Sequence, residues 1–301
     1  MKTIKQFLQY AAETLKNAEI ETPVLEAGVI LCHVLKCNRA YLYTHGDRVL
    51  EAGELGELEA FLHRRSEKVP LQYLLGEAEF MSLSFKVSPA VLIPRQDTEI
   101  LVEKCIELIT GIEINGETGE CFQEKACHAP GTKVLDMCTG SGCIAVSIAY
   151  HCPGSRAVAC DISQDALEIA RVNSVRAGVE KRVEFRCGDL FEVLDAREKF
   201  HIIASNPPYI ETGTIKTLQI QVRDHEPCIA LDGGADGLDF YRKIIYTAPG
   251  FLYENGYLVL EIGYNQGESV SRLMMENSFE SVTVLKDLGG NDRVVLGRFK
   301  K

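Results

Sequence analysis

The sequence predicts an α/β protein with a mostly parallel, doubly wound sheet, a C-terminal antiparallel hairpin and a small helical N-terminal domain. Three observations lead to this fold class. Strand and helix patterns alternate from Lys133 onwards, a glycine-rich loop follows the first strand of that series, and residues 1–75 carry only helical periodicity. Such alternation is typical of βαβ units, in which helices cover both faces of a parallel sheet.

Residues 1–75 predict a helical domain. Apolar residues recur at helical spacing in IKQFLQYAAETL and VLEAGVILCHVL, and LGELEAFLHRRSEK predicts a third helix. Proline suits the first turn of a helix, so Thr22-Pro23 predicts the start of the second one. The segment contains no catalytic motif, and we therefore expect a domain that docks the substrate.

Residues 76–96 predict a β-hairpin linker, because EFMSLSFKVSPAVLIPR is rich in alternating and β-branched residues. Helical periodicity returns in DTEILVEKCIELI, with Asp97 as the expected N-cap. Residues 111–131 are polar and glycine-rich, which predicts a surface loop. Within this loop, Cys121–His128 lacks a C-x-x-C pair and a second ligand cluster, so we expect no zinc site.

The main domain is predicted over residues 97–301. Strand patterns occur in KVLDM, RAVACD, RVEFRCGD, HIIASN and GYLVLEIG, with helical stretches between them. Two more strand patterns, ESVTVLKD and DRVVLGRFK, flank LGGND, whose glycines and asparagine predict a hairpin turn. We therefore expect the last two strands to pair antiparallel.

The composition indicates a globular intracellular protein. The chain has 301 residues, of which 46% are hydrophobic and 25% charged. Its net charge of -11 disfavours direct binding to DNA, which needs a basic surface to displace counterions. The 11 scattered cysteines indicate reduced thiols and not a disulfide framework. Because the sequence shows neither a signal peptide nor a membrane span, we expect a cytoplasmic protein.

A glycine-rich loop and an acid downstream of it predict a nucleoside-containing ligand. Gly140–Ala145 fits the G-x-G-x-x-G/A fingerprint of dinucleotide-binding folds, and Asp161 ends the next strand, where it would hold ribose hydroxyls. An NAD enzyme is therefore one candidate. Asp136 favours another, because a carboxylate facing this loop would repel a pyrophosphate but suit an ammonium or a sulfonium group. S-adenosylmethionine carries both of these charges and a ribose.

The SNPPYI stretch predicts a rigid receptor for an NH2 group. It follows a buried strand, so Asn206 would face the same crevice as the glycine loop. Proline fixes its own φ and makes the preceding residue extended, which keeps the carbonyls of this corner out of a helix. The side chain of Asn206 and the carbonyl of Pro207 would each accept one N–H, and Tyr209 would pack on a flat amide or base. Such a grip would aim a nitrogen at a methyl donor.

These segments together resemble the HemK/PrmC family of release-factor glutamine methyltransferases over nearly the whole chain. The segments are EFMSLSFKVSPAVLIPRQDTEILVE, LDMCTGSGCIAVSIA, SNPPYI, DHEPCIALDGGADGLDFYRKII, LVLEIGYNQG and NDRVVLGR. The resemblance implies a Rossmann-like class I methyltransferase fold. It also implies methylation of the glutamine in the Gly-Gly-Gln loop of class I peptide release factors.

The resemblance assigns roles to individual residues. The expected S-adenosylmethionine-binding residues are Asp136, Cys138, Thr139, Gly140, Ser141, Gly142, Asp161, Asp189, Leu190 and Asn206. The expected catalytic residues are Asn206, Pro207 and Tyr209, which with Pro208 would hold the substrate glutamine. The chain departs from the family pattern at Cys138, where glycine is frequent, and at His225, where an aromatic residue is frequent before Glu-Pro.

Three other functions remain open from the sequence. They are methylation of a glutamine in a ribosomal protein, methylation of an adenine base, and cofactor sensing without catalysis. Adenine methylation would need a basic groove for the nucleic acid, which the charge does not favour. A sensor would tolerate loss of Gly140 or Asn206, and both are intact.

Overall fold

The computed structural model describes residues 2–113, 122–123 and 131–301, which form two compact units. The helical unit comprises Met1–Glu77 and Gln219–His225, and the sheet unit comprises Ala78–Leu218 and Glu226–Lys301. The stretch considered for zinc, Cys121–His128, lies outside the described residues except for Phe122–Gln123. None of the helices in the described ranges is long and apolar enough to cross a membrane.

The helical unit is built from five helices and a short one contributed from later in the chain. The five are α1 (Ile4–Asn17), α2 (Pro23–Leu35), α3 (Arg39–Thr44), α4 (Ala52–Ser66) and α5 (Leu71–Leu75). The short helix is Ile220–Arg223. As predicted from Thr22-Pro23, α2 starts at the proline. The apolar faces of α1 to α5 meet in one core, which includes Phe7, Leu31 and Leu58.

A buried ion pair joins α2 to α4. The guanidinium of Arg65, which is 4% exposed, donates from Nε to Oε2 of Glu26 at 2.5 Å and from Nη2 to Oε1 at 3.2 Å. Its Nη1 also donates to the carbonyl of Val69 at 3.1 Å, and Nη2 lies 3.4 Å from Oε1 of Gln221. Arg65 therefore also holds the late segment Gln219–His225 to the helices.

The sheet unit begins with a hairpin and a helix. Strands β1 (Glu77–Phe80) and β2 (Leu83–Lys86) pair as a two-stranded sheet. Helix α6 (Glu99–Thr110) follows a short 3₁₀ turn. The prediction that Asp97 caps this helix is wrong, because Thr98 occupies the cap position and the carboxylate of Asp97 lies 3.2 Å from Arg293.

Among the described residues, the main sheet has seven strands, and the short β3 (Ile112–Glu113) and β4 (Phe122–Gln123) pair separately. The seven are β5 (Lys133–Met137), β6 (Arg156–Asp161), β7 (Val183–Cys187), β8 (Phe200–Ser205), β9 (Leu252–Glu261), β10 (Phe279–Lys286) and β11 (Asp292–Phe299). Their spatial order is β10-β11-β9-β8-β5-β6-β7. The pairs from β7 to β9 are parallel, whereas β11 pairs antiparallel with β9 and with β10. This confirms the predicted parallel sheet and its C-terminal hairpin.

Helices cover both faces of the sheet, as predicted. They are α7 (Cys143–His151), α8 (Gln164–Arg176), α9 (Asp239–Thr247) and α10 (Gly267–Glu276), together with α6. Along β8, Ile202 and Ala204 enter the core on one face and Ile203 the core on the other, which is the period of two expected of a strand. The strand order reverses between β5 and β8, so the crevice for a ligand is expected at their carboxyl ends.

Candidate functional site

A cavity of about 230 Å³ lies at the carboxyl ends of β5, β6 and β8. All of its lining residues belong to the sheet unit. Of the residues predicted for the site, the lining includes Cys138, Thr139, Gly140, Ser141, Asp161, Asp189, Leu190, Asn206 and Pro208. It does not include Asp136, Gly142, Pro207 or Tyr209. These four residues are not part of the cavity lining, and their contacts show what each of them does.

The loop between β5 and α7 turns sharply in the left-handed region of the backbone. Cys138, Gly140 and Gly142 have φ values of 58°, 53° and 80°. A Cβ at Gly142 would also lie 3.0 Å from the Cβ of Ala170 on α8, so this glycine permits close packing. Cys138 keeps the loop conformation that glycine would adopt more easily, and burial raises the pKa of its thiol far above the usual range.

Asn173 on α8 holds this loop, and the sequence analysis missed it. The side chain is buried, and its Nδ2 donates to the carbonyls of Ser141 at 2.9 Å and Lys86 at 3.0 Å. Its Oδ1 accepts from the amide of Lys86 at 2.7 Å. A polar residue within the apolar stripe of an amphipathic helix was the available signal, since buried amides need partners.

Asp161 lies at the end of β6 and faces the cavity. Its Oδ2 accepts from the backbone N–H of Gly140 at 2.8 Å, and its Oδ1 accepts from that of Ser163 at 2.9 Å. Burial raises the pKa of this carboxyl, although the donated N–H groups lower it. Each carboxylate oxygen retains acceptor capacity after one hydrogen bond, so the group can still accept hydroxyl donors from a ligand.

Asp136 supports the loop from behind instead of facing the cavity. The residue is fully buried, and its Oδ2 accepts from the hydroxyl of Thr139 at 2.5 Å and from the N–H of Ala145 at 3.0 Å. Its Oδ1 has no donor within the described parts of the chain. Burial raises the pKa of this carboxyl to about 7. Its hydrogen bonds fix the start of α7 relative to β5.

Asn206 reaches the cavity with its amide held on one side. Its Nδ2 donates to the hydroxyl of Thr98 at 3.2 Å, and Thr98 also lines the cavity. That contact leaves Oδ1 as the group offered to a ligand. The carbonyl of Pro207 has no hydrogen-bond donor in the described part of the chain. The amide oxygen of Asn206 is therefore available at the cavity, and the carbonyl of the adjacent Pro207, a buried residue outside the lining, is a second acceptor without a partner among the described residues.

Tyr209 is directed into the protein. Its hydroxyl lies 3.4 Å from Oε1 of Glu261, and its carbonyl accepts from Nε2 of Gln266 at 3.0 Å. The expectation that its ring packs on the substrate does not fit this position, because the side chain is packed against the core beneath the cavity. Neither Glu261 nor Gln266 was identified from the sequence. Glu261 is the last residue of β9, and Gln266 lies in the turn after it. The two residues come near Tyr209 because β9 pairs with β8.

The glycines of the LDGGADG stretch fit closely against the Asn206–Tyr209 corner. A Cβ at Gly233 would lie 2.7 Å from the Cα of Tyr209, and a Cβ at Gly237 would lie 2.4 Å from its carbonyl oxygen. The N–H of Gly233 donates to the carbonyl of Ile210 at 2.8 Å. These glycines allow one backbone to pack directly on another, which immobilises the corner.

A second motif closes the cavity from the opposite side. Glu226 is 5% exposed, its Oε2 accepts from the N–H of Ile93 at 3.2 Å, and its Oε1 accepts from the guanidinium of Arg95. Pro227 and Arg95 both line the cavity. The IPR and Glu-Pro segments are thus joined in one wall. His225, half-buried, belongs to the helical unit and does not line the cavity.

Comparison with known proteins identifies the family. The family model described as the PrmC N-terminal domain matches residues 6–76, and the methyltransferase small domain model matches residues 120–223. A release factor glutamine methyltransferase of Geobacter sulfurreducens is 39% identical over 98% of this chain and 96% of its own length. The chain belongs to the release factor glutamine methyltransferase family. This confirms the resemblance seen in the sequence.

Other similar proteins match this chain over different shares of their own length. A bifunctional methyltransferase of Rickettsia felis is 38% identical over 98% of this chain, but the chain spans only 58% of that relative. Among solved structures, the catalytic domain of hMettl16 covers 80% of this chain and 82% of its own with a TM-score of 0.56. At 14% identity this likeness concerns the fold alone, and it agrees with the predicted class I methyltransferase fold.

Proposed function

We propose that this chain transfers a methyl group from S-adenosyl-L-methionine to the side-chain amide nitrogen of a glutamine in a peptide chain release factor. The glutamine is that of the Gly-Gly-Gln loop of class I factors. The observation that carries the proposal is the corner at Asn206 and Pro207. Asn206 presents its amide oxygen to a cavity whose other wall contains a glycine loop and Asp161, and the carbonyl of the adjacent Pro207, which does not itself line the cavity, is proposed as the second acceptor.

The residues of the cavity fit S-adenosylmethionine. Asp161 offers acceptor oxygens for two ribose hydroxyls, and the left-handed turn at Gly140 lets a ligand approach the backbone closely. Leu190 and Asp189 lie on the same wall and supply an apolar surface and an acceptor for an adenine ring with its amino group. When bound, the cofactor supplies an electrophilic methyl group on a positively charged sulfur.

The corner suits a primary amide. Such a group has two N–H donors in one plane, and Oδ1 of Asn206 and the carbonyl of Pro207 accept one each. The nitrogen is thereby held with one face towards the methyl donor. An amide nitrogen is a weak nucleophile, so orientation and exclusion of water are what the site contributes.

The methyl transfer does not require a dedicated general base. A C–N bond forms to the amide nitrogen as the C–S bond breaks, and the electron pair of that bond remains on sulfur. The alkylated nitrogen is strongly acidic and loses one proton to water or buffer. The side chain of Asn206 remains a hydrogen-bond acceptor throughout and does not take up the proton.

The helical unit is proposed to dock the substrate protein. A Gly-Gly-Gln loop is short and buries little surface, so selectivity for a whole factor requires a second contact. The helical unit contains none of the residues that line the cavity. Its match to the PrmC N-terminal domain supports this assignment.

Transfer of tritium from labelled S-adenosylmethionine tests the proposal. The acceptors are a purified release factor, a free Gly-Gly-Gln peptide, a ribosomal protein preparation and duplex DNA. We expect the label in the release factor, at its glutamine, with a higher kcat/KM than for the free peptide. Label in DNA but not in the factor would refute the proposal. Equal kcat/KM for peptide and factor would remove the docking role and leave the activity intact.

A further inference from the structure

Behind the Asn206 corner lies a chain of polar groups that the proposed chemistry does not use. Asn206 donates to Thr98, before α6, and Tyr209 lies within hydrogen-bonding distance of Glu261, at the end of β9, whose pKa is lowered by the nearby Thr98. Thr98 is 2% exposed and Glu261 is 1% exposed. Buried polar groups of this kind need partners, and each hydrogen bond between them constrains the next one.

The hydroxyl of Thr98 can play only one role towards Asn206 at a time. In the structure its oxygen accepts from Nδ2 of Asn206 at 3.2 Å. The single hydroxyl proton of Thr98 is then free to be donated elsewhere. The same hydroxyl could otherwise donate to an amide oxygen, in which case the amide of Asn206 would turn by half a rotation and direct Nδ2 away from Thr98.

The carboxylate of Glu261 is an acceptor to which that proton can be donated. Its Oε1 is approached by the hydroxyl of Tyr209 at 3.4 Å, whereas its Oε2 is buried and has no donor in the described part of the chain. The Thr98 hydroxyl lies near enough to lower the pKa of this carboxyl. A buried carboxylate oxygen without a donor is costly, so it attracts the Thr98 proton.

We propose that Glu261 is a positioning residue that fixes the direction of this hydrogen-bond chain, so that Asn206 presents Oδ1 and not Nδ2 to the substrate amide. The inference rests on the proposed function, because it explains how that site keeps its acceptor. An amide in the opposite orientation would set two NH2 groups against each other. The substrate nitrogen would then lose the hydrogen bond that orients it.

The ionisation state of Glu261 decides the direction. The charged and titratable groups that face it are Tyr209, Tyr241, Arg293, Asp97 and Cys143. Burial raises the pKa of Glu261 to about 7, while Thr98 and Arg293 lower it. The carboxylate is the form that accepts from Thr98. Turnover is therefore expected to be full above about pH 7 and to fall as the pH drops through that value.

The test compares Glu261→Gln, Thr98→Val and Thr98→Ser in the full chain, with a release factor as acceptor. Glu261→Gln keeps the shape but adds a donor, and Thr98→Val removes the hydroxyl. We expect kcat to fall about 10–100-fold in both, with S-adenosylhomocysteine affinity changed less than about threefold. Because Thr98→Ser retains the hydroxyl, its kcat should be at least about tenfold higher than that of Thr98→Val. The acid limb near pH 7 should vanish in Glu261→Gln.

The pH profile also separates Glu261 from Asp136, whose pKa is raised to a similar value. If the acid limb persists in Glu261→Gln, or if that variant turns over within about threefold of wild type, the inference is refuted. Should Glu261→Gln fail to fold, equal activities of Thr98→Val and Thr98→Ser would overturn it instead. A wild-type chain that labels no release factor refutes the proposed function itself, which is a different result.

Discussion

Substituting Gly233 by alanine should slow methyl transfer without affecting the cofactor site. A Cβ there would lie 2.7 Å and 2.8 Å from the Cα and carbonyl carbon of Tyr209 and 2.9 Å from the carbonyl oxygen of Pro208. All three are backbone atoms, so no side chain can move aside. To restore an ordinary contact of 3.4 Å, the corner must shift by roughly 0.7 Å. Displacements near 1 Å can cost about 100-fold in rate, so we expect kcat to fall about 10–100-fold.

The assay is tritium transfer to a release factor at saturating S-adenosylmethionine, with S-adenosylhomocysteine affinity measured by calorimetry. Gly213→Ala is the matched control, because no atom lies within 4 Å of the added carbon and the backbone there is not left-handed. The control should turn over within about twofold of wild type. If Gly233→Ala does the same while folded, the argument that this close backbone contact fixes the corner is refuted.

Three further substitutions test other parts of the structure. Asn206→Ala should lower kcat by at least about 100-fold and leave the melting temperature unchanged, and activity within threefold of wild type would contradict its role. Asp161→Ala should weaken S-adenosylhomocysteine binding at least about tenfold by calorimetry, because a charged acceptor is lost, and unchanged affinity would place the cofactor elsewhere. Glu26→Ala leaves the Arg65 guanidinium buried without its carboxylate and should lower the free energy of unfolding by about 3–5 kcal/mol in urea titrations. The control removes the carboxylate of Glu268 from its exposed pair with Arg272. A change in the free energy of unfolding above about 1 kcal/mol in this control would undermine the comparison.

The features that the sequence predicted correctly are those encoded locally. Strand and helix periods, the turn at Gly140–Gly142 and the hairpin before Asp292 each depend on residues within a few positions of one another. Proline at Pro23 likewise determined a helix start without help from distant residues. The parallel pairing of the central strands followed because alternating strands and helices form βαβ units.

The features that it did not predict depend on partners far along the chain. Asp97 looks like a helix cap until Arg293, nearly two hundred residues later, is placed beside it. Tyr209 was expected at the substrate, but Glu261 gives its hydroxyl a partner inside the protein. Asn173 carries no motif, and its contacts with the glycine loop appear only when α8 is packed against β6, β7 and α7. Such tertiary contacts override what a local pattern indicates.

The short segment Gln219–His225 makes the helical unit discontinuous in sequence. The chain passes between the two units after Glu77, enters the helical unit again at Gln219 and leaves it at His225. A single cut after residue 77 would therefore remove the five helices. Gln221 would remain in the other fragment and lose its contact with Arg65. Gene fusions that exchange this unit between homologues need three junctions instead of one. Recombination during evolution faces the same requirement, so the two units should be inherited together.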